Sequence, residues 1–335
     1  MTRSFIPDEI LSAAHARAAA RAAGEWAEAD RLREEIEAAG WKIVDRGTDF
    51  ALTLAAAPDI ADATGLRYGS TASVPSRLDD PAAGIATVVL IATDWPADLQ
   101  RALAGLRDHA PGGTSVVVVA DGPSDDQAAA LAGIEDTGDD EAMPVELVWT
   151  SERLGHGAAT NIGIRRATAP VVILLDTSLE PVGDIVTPLV TALQDPTVAV
   201  VGGWGITSTD LRHFDDAPAG DVDAIEGYCQ AFRRADYGAR GPLDERFRFY
   251  RNLDIWWSLV LRDEGEDGAP RRAVRLDGLP IERHEHRGWA SLPDAERDRQ
   301  SRRNFYRIID RFGWRRDLLL SGDRPLNGDP PISGD

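Results

Sequence analysis

The sequence predicts an α/β fold with a mostly parallel sheet covered by helices, preceded by a small α+β unit. Three observations support this prediction. Apolar runs of five or six residues recur from residue 87 onwards, they alternate with helical patterns, and each run is apolar nearly throughout. Strands buried on both faces have this composition, because helices cover both sides of a parallel sheet.

Length, charge and cysteine content limit the classes of protein to which the chain can belong. The 335 residues suffice for one large domain or for two to three smaller ones. With 36 basic and 56 acidic residues the formal net charge is −20, which argues against nucleic acid as a partner. The single cysteine, Cys229, excludes a disulfide framework and suggests the cytoplasm. No apolar run approaches the ~20 residues of a membrane-spanning helix, so no transmembrane segment is expected.

Residues 1–56 account for the small α+β unit. Residues 8–39 are rich in Ala, Glu and Arg, and their apolar side chains recur at steps of three and four residues, which predicts a helix with one apolar face. That apolar set is Trp26, Ala29, Leu32 and Ile36. Gly24 can break the helix into two, and these helices could pair two subunits in a homodimer.

A β-hairpin is expected after the helices, because residues 41–44 and 50–54 flank a turn-prone stretch. The stretch from Gly24 to the hairpin resembles the C-terminal tail of cysteinyl-tRNA synthetases, over a short span with no catalytic residue. An amphipathic helix pair used for packing or dimerisation is the alternative. Residues 57–84 mix Pro, Ser, Asp and Gly without periodicity, which predicts a linker.

Residues 85–320 form the predicted main domain, and residues 321–335 are predicted to be a flexible tail. Strands and helices alternate in this domain. The expected strands are 87–92, 115–120, 145–149 and 171–175, and the expected helices are 98–109 and 158–167. Ligands of such sheets bind beyond the carboxyl ends of the strands, so the residues after each strand are candidates for a binding site.

Two of these segments suit a nucleotide. Asp121 could accept hydrogen bonds from a base or ribose, although an ordinary turn or helix cap is the alternative. Residues 154–163 open a helix where small side chains and free backbone N–H groups could meet an anion, unless they only form a tight loop into a packed helix. A dinucleotide-binding fingerprint is disfavoured, because the glycines begin several residues after the strand and Thr160 replaces the third glycine.

Taken in order, segments between residues 85 and 315 resemble the family 2 glycosyltransferases, which have the GT-A fold and use nucleotide-diphospho-sugars. Residues 152–163 are similar to the family's N-L-G-x-x-x-A-x-N-x-G segment, and residues 174–181 stand where its D-x-D motif belongs. The other matching segments are the first strand and its turn (87–98), the nucleoside-binding strand end (118–126), the acceptor-side segment (223–234), the region before the base (243–247) and a late histidine region (284–286).

The resemblance implies transfer of a sugar from a nucleotide-diphosphate donor to an unidentified hydroxyl acceptor with inversion, for example in polysaccharide biosynthesis. It implies donor binding by the strand ends and the helix start, through Thr93, Asp121, Gly157, Asn161 and Asp176. It also implies that a divalent cation, Mg²⁺ or Mn²⁺, or the diphosphate is approached by Asp176, His284 and His286. Alternate strand residues share a face, so both imidazoles could meet one ion.

Two departures from the family pattern bear on activity. Ser178 replaces the second carboxylate of the D-x-D motif, and a hydroxyl is a poor ligand for Mg²⁺ or Mn²⁺. Asn252 stands in the base region and cannot take a proton, which makes Asp254 the candidate base and Glu226 the reserve. A catalytically inactive protein that binds a nucleotide sugar or a partner is the alternative function.

Aromatic and basic residues complete the candidates. Trp256, Trp257 and Trp289 could form a sugar-stacking platform, with core packing as the alternative. Residues 297–316 predict an Arg-rich helix whose apolar side docks on the domain and whose arginines could screen the diphosphate, unless they form only a solvated face.

Overall fold

The computed structural model describes residues 6–47, 49–54, 57–62, 65–134, 143–265 and 268–321. The chain divides into two units, Met1–Pro58 and Asp59–Asp335. Within the described ranges, none of the helices combines the length and apolar character that a membrane crossing demands. Fourteen residues of the predicted tail, 322–335, lie outside the described residues.

The first unit contains two helices and a hairpin. Gly24 adopts φ +75° and ends the first helix, so the predicted break lies at this glycine. The hairpin strands pair antiparallel, from Trp41 opposite Leu54 to Arg46 opposite Asp49, which confirms the predicted hairpin. The elements are α1 (Asp8–Ala23), α2 (Trp26–Ala38), β1 (Trp41–Arg46) and β2 (Asp49–Leu54).

Trp26 does not belong to the core of this unit. Ala29, Leu32 and Ile36 are buried, whereas the Trp26 side chain is 63% exposed. At about 100° per residue, Trp26 lies about 90° away from the centre of the stripe that the other three residues form. The spacing rule therefore included one residue too many at the start of α2.

Ten described strands of the second unit form one mixed sheet in the order β13-β16-β10-β15-β8-β5-β6-β7-β4-β3. Five consecutive strands at its centre, from β8 to β4, run parallel. The sheet strands are β3 (Ile60–Asp62), β4 (Gly65–Tyr68), β5 (Ala86–Ala92), β6 (Thr114–Ala120), β7 (Val145–Thr150), β8 (Val171–Leu175), β10 (Val198–Gly202), β13 (Gly220–Val222), β15 (Cys229–Arg233) and β16 (Arg272–Arg275).

Smaller sheets and helices surround the main sheet. The remaining strands are β9 (Leu179–Pro181), β11 (Gly205–Thr207), β12 (Asp215–Asp216), β14 (Ala224–Ile225) and β17 (Ile281–Arg283). The helices are α3 (Pro96–His109), α4 (Asp125–Ala132), α5 (His156–Arg166), α6 (Val186–Ala192), α7 (Arg234–Arg240), α8 (Leu253–Arg262), α9 (Arg287–Ala290) and α10 (Asp294–Phe312). The four predicted strands and the helices predicted over 98–109 and 158–167 are confirmed, with ends that differ by at most two residues. The Arg-rich helix predicted over 297–316 is present as α10 but ends four residues earlier, at Phe312.

The stretch expected to be a linker, 57–84, is partly built into the sheet. Strand β4 pairs parallel with β7, and β3 pairs antiparallel with β4 at the edge. Short edge strands need only two or three ladder pairs and carry little apolar periodicity, so the sequence pattern did not reveal them.

The antiparallel strand β15 determines what faces the carboxyl ends of the parallel strands. It lies between β8 and β10, with Cys229 opposite Leu175. An antiparallel strand begins where its parallel neighbour ends, so the residues just before β15 meet those just after β8. The backbone N–H of Asp176 accordingly donates to the carbonyl of Tyr228 at 2.9 Å.

Helix α5 packs closely on the sheet because it has a glycine at the contact. A Cβ atom on Gly163 would lie 2.2 Å from Cγ1 of Val89 in β5. No side chain larger than hydrogen fits there without displacement of the helix or the strand.

Replacing Gly163 by Ala should therefore destabilise the second unit by about 1–3 kcal/mol, the cost of overpacking a filled core. Gly238→Ala is the matched control, because Gly238 lies in α7 with open space around its Cα. That control should be neutral or stabilising by up to about 1 kcal/mol. Denaturant unfolding measures both; equal stabilities would contradict the close packing of α5.

Candidate active site

A cavity of about 1110 Å³ opens at the carboxyl ends of the parallel strands. Its walls include the ends of β5, β6 and β8, the loop into α5 and the loops around residues 226–228 and 248–254. The segments 206–216 and from residue 283 into α10 complete them. The predicted site residues that line it are Thr93, Asp121, Asp176, Glu226, Asp254 and His286.

Asp121 holds a loop in place. Its Oδ1 accepts the backbone N–H of Leu154 at 2.7 Å, and its Oδ2 accepts that of Gly155 at 3.0 Å. The side chain is 2% exposed, and burial raises the pKa of the carboxyl despite these hydrogen bonds. Both oxygens are thus engaged by the loop that leads into α5, so Asp121 positions this wall of the cavity.

The start of α5 differs from the open anion site that the sequence suggested. The N–H of His156 donates to the carbonyl of Arg248 at 3.0 Å, and that of Gly157 donates to the carbonyl of Phe247 at 2.9 Å. A Cβ atom on Gly157 would lie 2.8 Å from the carbonyl oxygen of Asp244. The small residues therefore admit a neighbouring chain segment, and the N–H groups expected to face a diphosphate are bonded within the protein.

Asn161 also serves this packing and does not line the cavity. Its Nδ2 donates to the carbonyl of Leu243 at 2.9 Å, and its Oδ1 accepts the N–H of Leu243 at 2.9 Å and the hydroxyl of Tyr237 at 3.1 Å. The side chain is fully buried. The residue that the family resemblance assigned to donor binding thus fastens the segment that closes the start of α5.

Asp176 and His286 form an ion pair at the floor of the cavity. Their Oδ2 and Nε2 atoms are 3.2 Å apart, while Oδ1 of Asp176 accepts the N–H and the hydroxyl of Ser178. Burial disfavours the charged forms of both side chains, but the hydrogen bonds and the mutual attraction outweigh burial. The pKa of Asp176 is therefore lowered and that of His286 is raised. Ser178, which occupies the position of the second carboxylate of the D-x-D motif, therefore stabilises the charged form of Asp176 through two hydrogen bonds.

His284 lies apart from His286. Its Nε2 is 2.7 Å from Oε2 of Glu180, and it does not line the cavity. Strand β17 ends at Arg283, so residues 284–286 no longer alternate as a strand does. His284 and His286 therefore have different partners, Glu180 and Asp176, and do not share one site as the alternation of a strand suggested.

Glu226 and Asp254 stand together on the side of the cavity next to β15. Burial raises the pKa of Glu226 to about 7, and the charges of Asp254 and Asp216 act in the same direction. Asp254 accepts the N–H of Gly227 at 2.7 Å and that of Ile255 at 2.9 Å, and burial raises its pKa as well. Glu226 is therefore a carboxylate that can take up a proton near neutral pH.

Aromatic and basic side chains that the sequence did not single out surround the ion pair. The ring of Tyr250 lies 4.6 Å from that of His286, and Tyr228 contacts His286 edge-on at 6.1 Å. Arg283 stacks on Tyr228, 3.9 Å above the ring. Burial lowers the pKa of His156, a further lining residue, to about 4. Two features of the sequence could have indicated these side chains. Tyr228 lies two residues after Glu226, and Arg283 lies next to the segment that contains His284 and His286.

Trp256 and Trp257 pack in the core, as the alternative interpretation expected, and Trp257 also lines the cavity. Trp256 and Trp257 are 4% and 0% exposed and pack with Phe232, Tyr237 and Phe247. The side chain of Trp289 lies outside the described ones. In α10, Ile308 and Phe312 are buried as expected, while Arg302 lines the cavity.

Comparison with known proteins identifies this arrangement. Residues 87–248 match the family described as Glycosyl transferase family 2. This stretch, a little under half of the chain, is similar to a glycosyl transferase family 2 domain. The match covers the strand ends, the loop into α5 and the wall up to Arg248, and the fold is the GT-A fold.

Solved structures share the fold of this glycosyltransferase domain. The mannosyltransferase PcManGT from Pyrobaculum calidifontis, in complex with GDP-Man and Mn²⁺, aligns with a TM-score of 0.50 and 20% identity over 71% of this chain and 67% of its own. GalNAc-T7 with UDP, GalNAc and Mn²⁺ aligns with a TM-score of 0.54 and 16% identity over 69% of this chain. The alignment spans about half, 48%, of GalNAc-T7. A comparison with curated proteins found no match.

The cavity contains two side chains whose atoms could bind a divalent cation, Asp176 and His286. A six-coordinate cation with ligands at about 2.1 Å holds neighbouring ligand atoms about 3 Å apart, close to the Asp176–His286 separation. The carboxylate is a ligand type that suits Mg²⁺ or Mn²⁺, whereas an imidazole is more typical of Zn²⁺, Cu²⁺, Fe²⁺ or Ni²⁺. Outside the cavity lining, ligand atoms of Glu180, Glu282 and His284 lie within 4.8 Å of one another.

The role of Asp121 in holding the loop predicts a loss of stability for Asp121→Asn. The amide NH₂ would face one of the two backbone N–H groups, which loses a buried hydrogen bond at a cost of about 1–3 kcal/mol. Urea unfolding measures this, with Asp108→Asn, on the exposed surface of α3, as the control. Unchanged stability of Asp121→Asn would show that the carboxylate does not hold residues 154 and 155.

Proposed function

We propose that the protein transfers a sugar from a nucleotide-diphosphate donor to an acceptor hydroxyl, with inversion, in the cytoplasm. The observation that carries this proposal is the single cavity that joins the strand ends, an Asp176–His286 pair and a carboxylate with a pKa near 7. In PcManGT and GalNAc-T7, domains of the same fold bind nucleotide ligands and Mn²⁺.

The donor would lie over the ends of β5, β6 and β8. Thr93 and Asp176 line this part of the cavity directly, and Asp121 shapes it through the loop it holds. Asp176 and His286 would hold a divalent cation, which, when bound, neutralises charge on the departing diphosphate. Arg283 and Arg251 line the same cavity and add positive charge near it.

Glu226 is the base in this proposal. An acceptor hydroxyl loses its proton as its oxygen bonds to the anomeric carbon, and a carboxylate of pKa near 7 matches that task at neutral pH. Asp254 has an oxygen bound to the N–H of Gly227, so it fixes the loop that carries Glu226 and raises the pKa of Glu226 by its charge. Asp254 is then the positioning residue and remains the alternative base.

A panel of nucleotides and nucleotide sugars tests the function. Thermal shift with UDP, GDP, dTDP and CDP should single out one nucleotide, and the corresponding sugar donor should be hydrolysed or transferred faster with Mn²⁺ than with EDTA. Binding of a donor without turnover for any acceptor would favour the inactive, binding-only alternative. An absence of binding for every nucleotide would contradict the proposal.

The assignment of the base predicts the pH dependence. Because Glu226 must be deprotonated, kcat/KM should rise with pH through about 7 and level off above it. Asp254→Asn removes a neighbouring negative charge, so the rise should move to lower pH. Asp216→Asn should move it in the same direction by less, since Asp216 has the smaller effect on Glu226.

Glu226→Gln should reduce kcat by about 10²–10⁴-fold, the usual contribution of a general base, with nucleotide affinity retained. Gln preserves the size of the side chain and removes its negative charge and its ability to accept a proton. If Glu226→Gln keeps its activity while Asp254→Asn loses it and both bind the nucleotide, Asp254 is the base.

A further inference from the structure

A strongly basic segment lies at the end of the second unit. The 20 residues from Arg297 to Arg316 contain eight arginines and two aspartates, in a chain whose net charge is −20. The apolar side of α10 faces inward, where Ile308 and Phe312 are buried. Packing of this helix on the domain therefore leaves several of its arginines towards solvent.

The exposed side chains of α10 share one face. Arg299, Arg302, Arg303 and Tyr306 are all exposed, and they follow one another at steps of three, one and three residues, which places them on the same side of a helix. Asp310 and Glu296 are the acidic residues on this side of the helix, and Glu296 pairs with Arg299. Arg302 also lines the cavity, so the face borders the cavity mouth.

Aromatic side chains accompany these arginines. Tyr306 is 57% exposed and Trp314 is 64% exposed. Among the exposed large hydrophobic side chains described in the second unit, these two are the aromatic ones, and Leu320 follows at 50%. A merely solvated basic face does not need them, whereas Tyr and Trp rings are enriched where lipid headgroups meet hydrocarbon.

We propose that the exposed face of α10 and the segment directly after it, together called the α10 surface, dock on an anionic lipid bilayer. The residues of the α10 surface are Arg299, Arg302, Arg303 and Tyr306 in the helix, and Trp314 and Arg316 after its end at Phe312. The guanidinium groups contact headgroup phosphates, and the two aromatic rings enter the interface. Docking in this way turns the mouth of the cavity, at Arg302, towards the lipid surface.

The charge distribution favours a bilayer over a nucleic acid. An extended polyanion that wraps a protein would meet the acidic remainder of the chain, which repels it. A flat bilayer contacts only the α10 surface. The repulsion from acidic groups more than about 10 Å away is largely screened at physiological ionic strength.

Vesicle co-sedimentation tests the proposal with the full chain. The protein should bind vesicles of equal parts phosphatidylcholine and phosphatidylglycerol at physiological ionic strength, bind phosphatidylcholine vesicles weakly, and dissociate at high salt. Arg303→Gln with Arg316→Gln should weaken binding by about 30-fold, the contribution of two basic side chains near an anionic surface. These two positions are chosen because Arg299 pairs with Glu296 and Arg302 lines the cavity.

Matched controls separate the patch from general effects. Arg46→Gln with Arg107→Gln removes the same charge from exposed positions elsewhere and should leave vesicle binding unchanged. Trp314→Ser should weaken binding, whereas Trp26→Ser, at a tryptophan that is 63% exposed, should not. Thermal unfolding verifies that each variant is folded.

Three outcomes would overturn the proposal. They are an absence of binding to anionic vesicles, equal binding to neutral vesicles, and equal losses in the patch variants and their controls. Salt-sensitive binding to duplex RNA without binding to vesicles would identify a nucleic-acid surface instead. None of these readouts depends on sugar transfer, so the result stands whether or not the proposed function holds.

Discussion

The packing of residues 243–248 against the first turn of α5 is the constraint on which the candidate site depends. The carbonyls of Phe247 and Arg248 accept the first N–H groups of the helix, and buried Asn161 fastens Leu243 from inside. A buried polar group without a partner is costly, so these bonds leave the segment few other positions. The chain that continues from it, through Tyr250 to Asp254, forms one wall of the cavity and is thereby fixed.

Electrostatics within that wall follow from crowding of carboxylates. Glu226, Asp254 and Asp216 repel one another in a partly buried region, and Arg283 and Arg251 offset the repulsion in part. Across the cavity the charge of Asp176 is balanced by His286 and the hydrogen bonds of Ser178. One side can therefore take up a proton near neutral pH, while the other presents a compensated pair to which a cation or a diphosphate can be added.

The strands and helices of the domain followed from local patterns, because an apolar run or a helical period is a property of neighbouring residues. The site followed only in part. Asp176, Glu226, Asp254 and His286 each stand beside a strand end or in a motif-like segment, and all four line the cavity. Asn161 and Gly157 were misplaced, since their partners lie about 80 to 90 residues away in the sequence and only the fold brings them together.

The sequence by itself determined the α/β class, the family resemblance, the excess of acidic residues and the basic character of residues 297–316, because these depend on composition and short-range order. Tertiary structure decided which polar groups face the cavity. Strand β15 enters antiparallel beside β8, so Tyr228 meets Asp176, and the end of β17 separates His284 from His286. Long-range pairing sets these distances, and no periodicity along the chain encodes them.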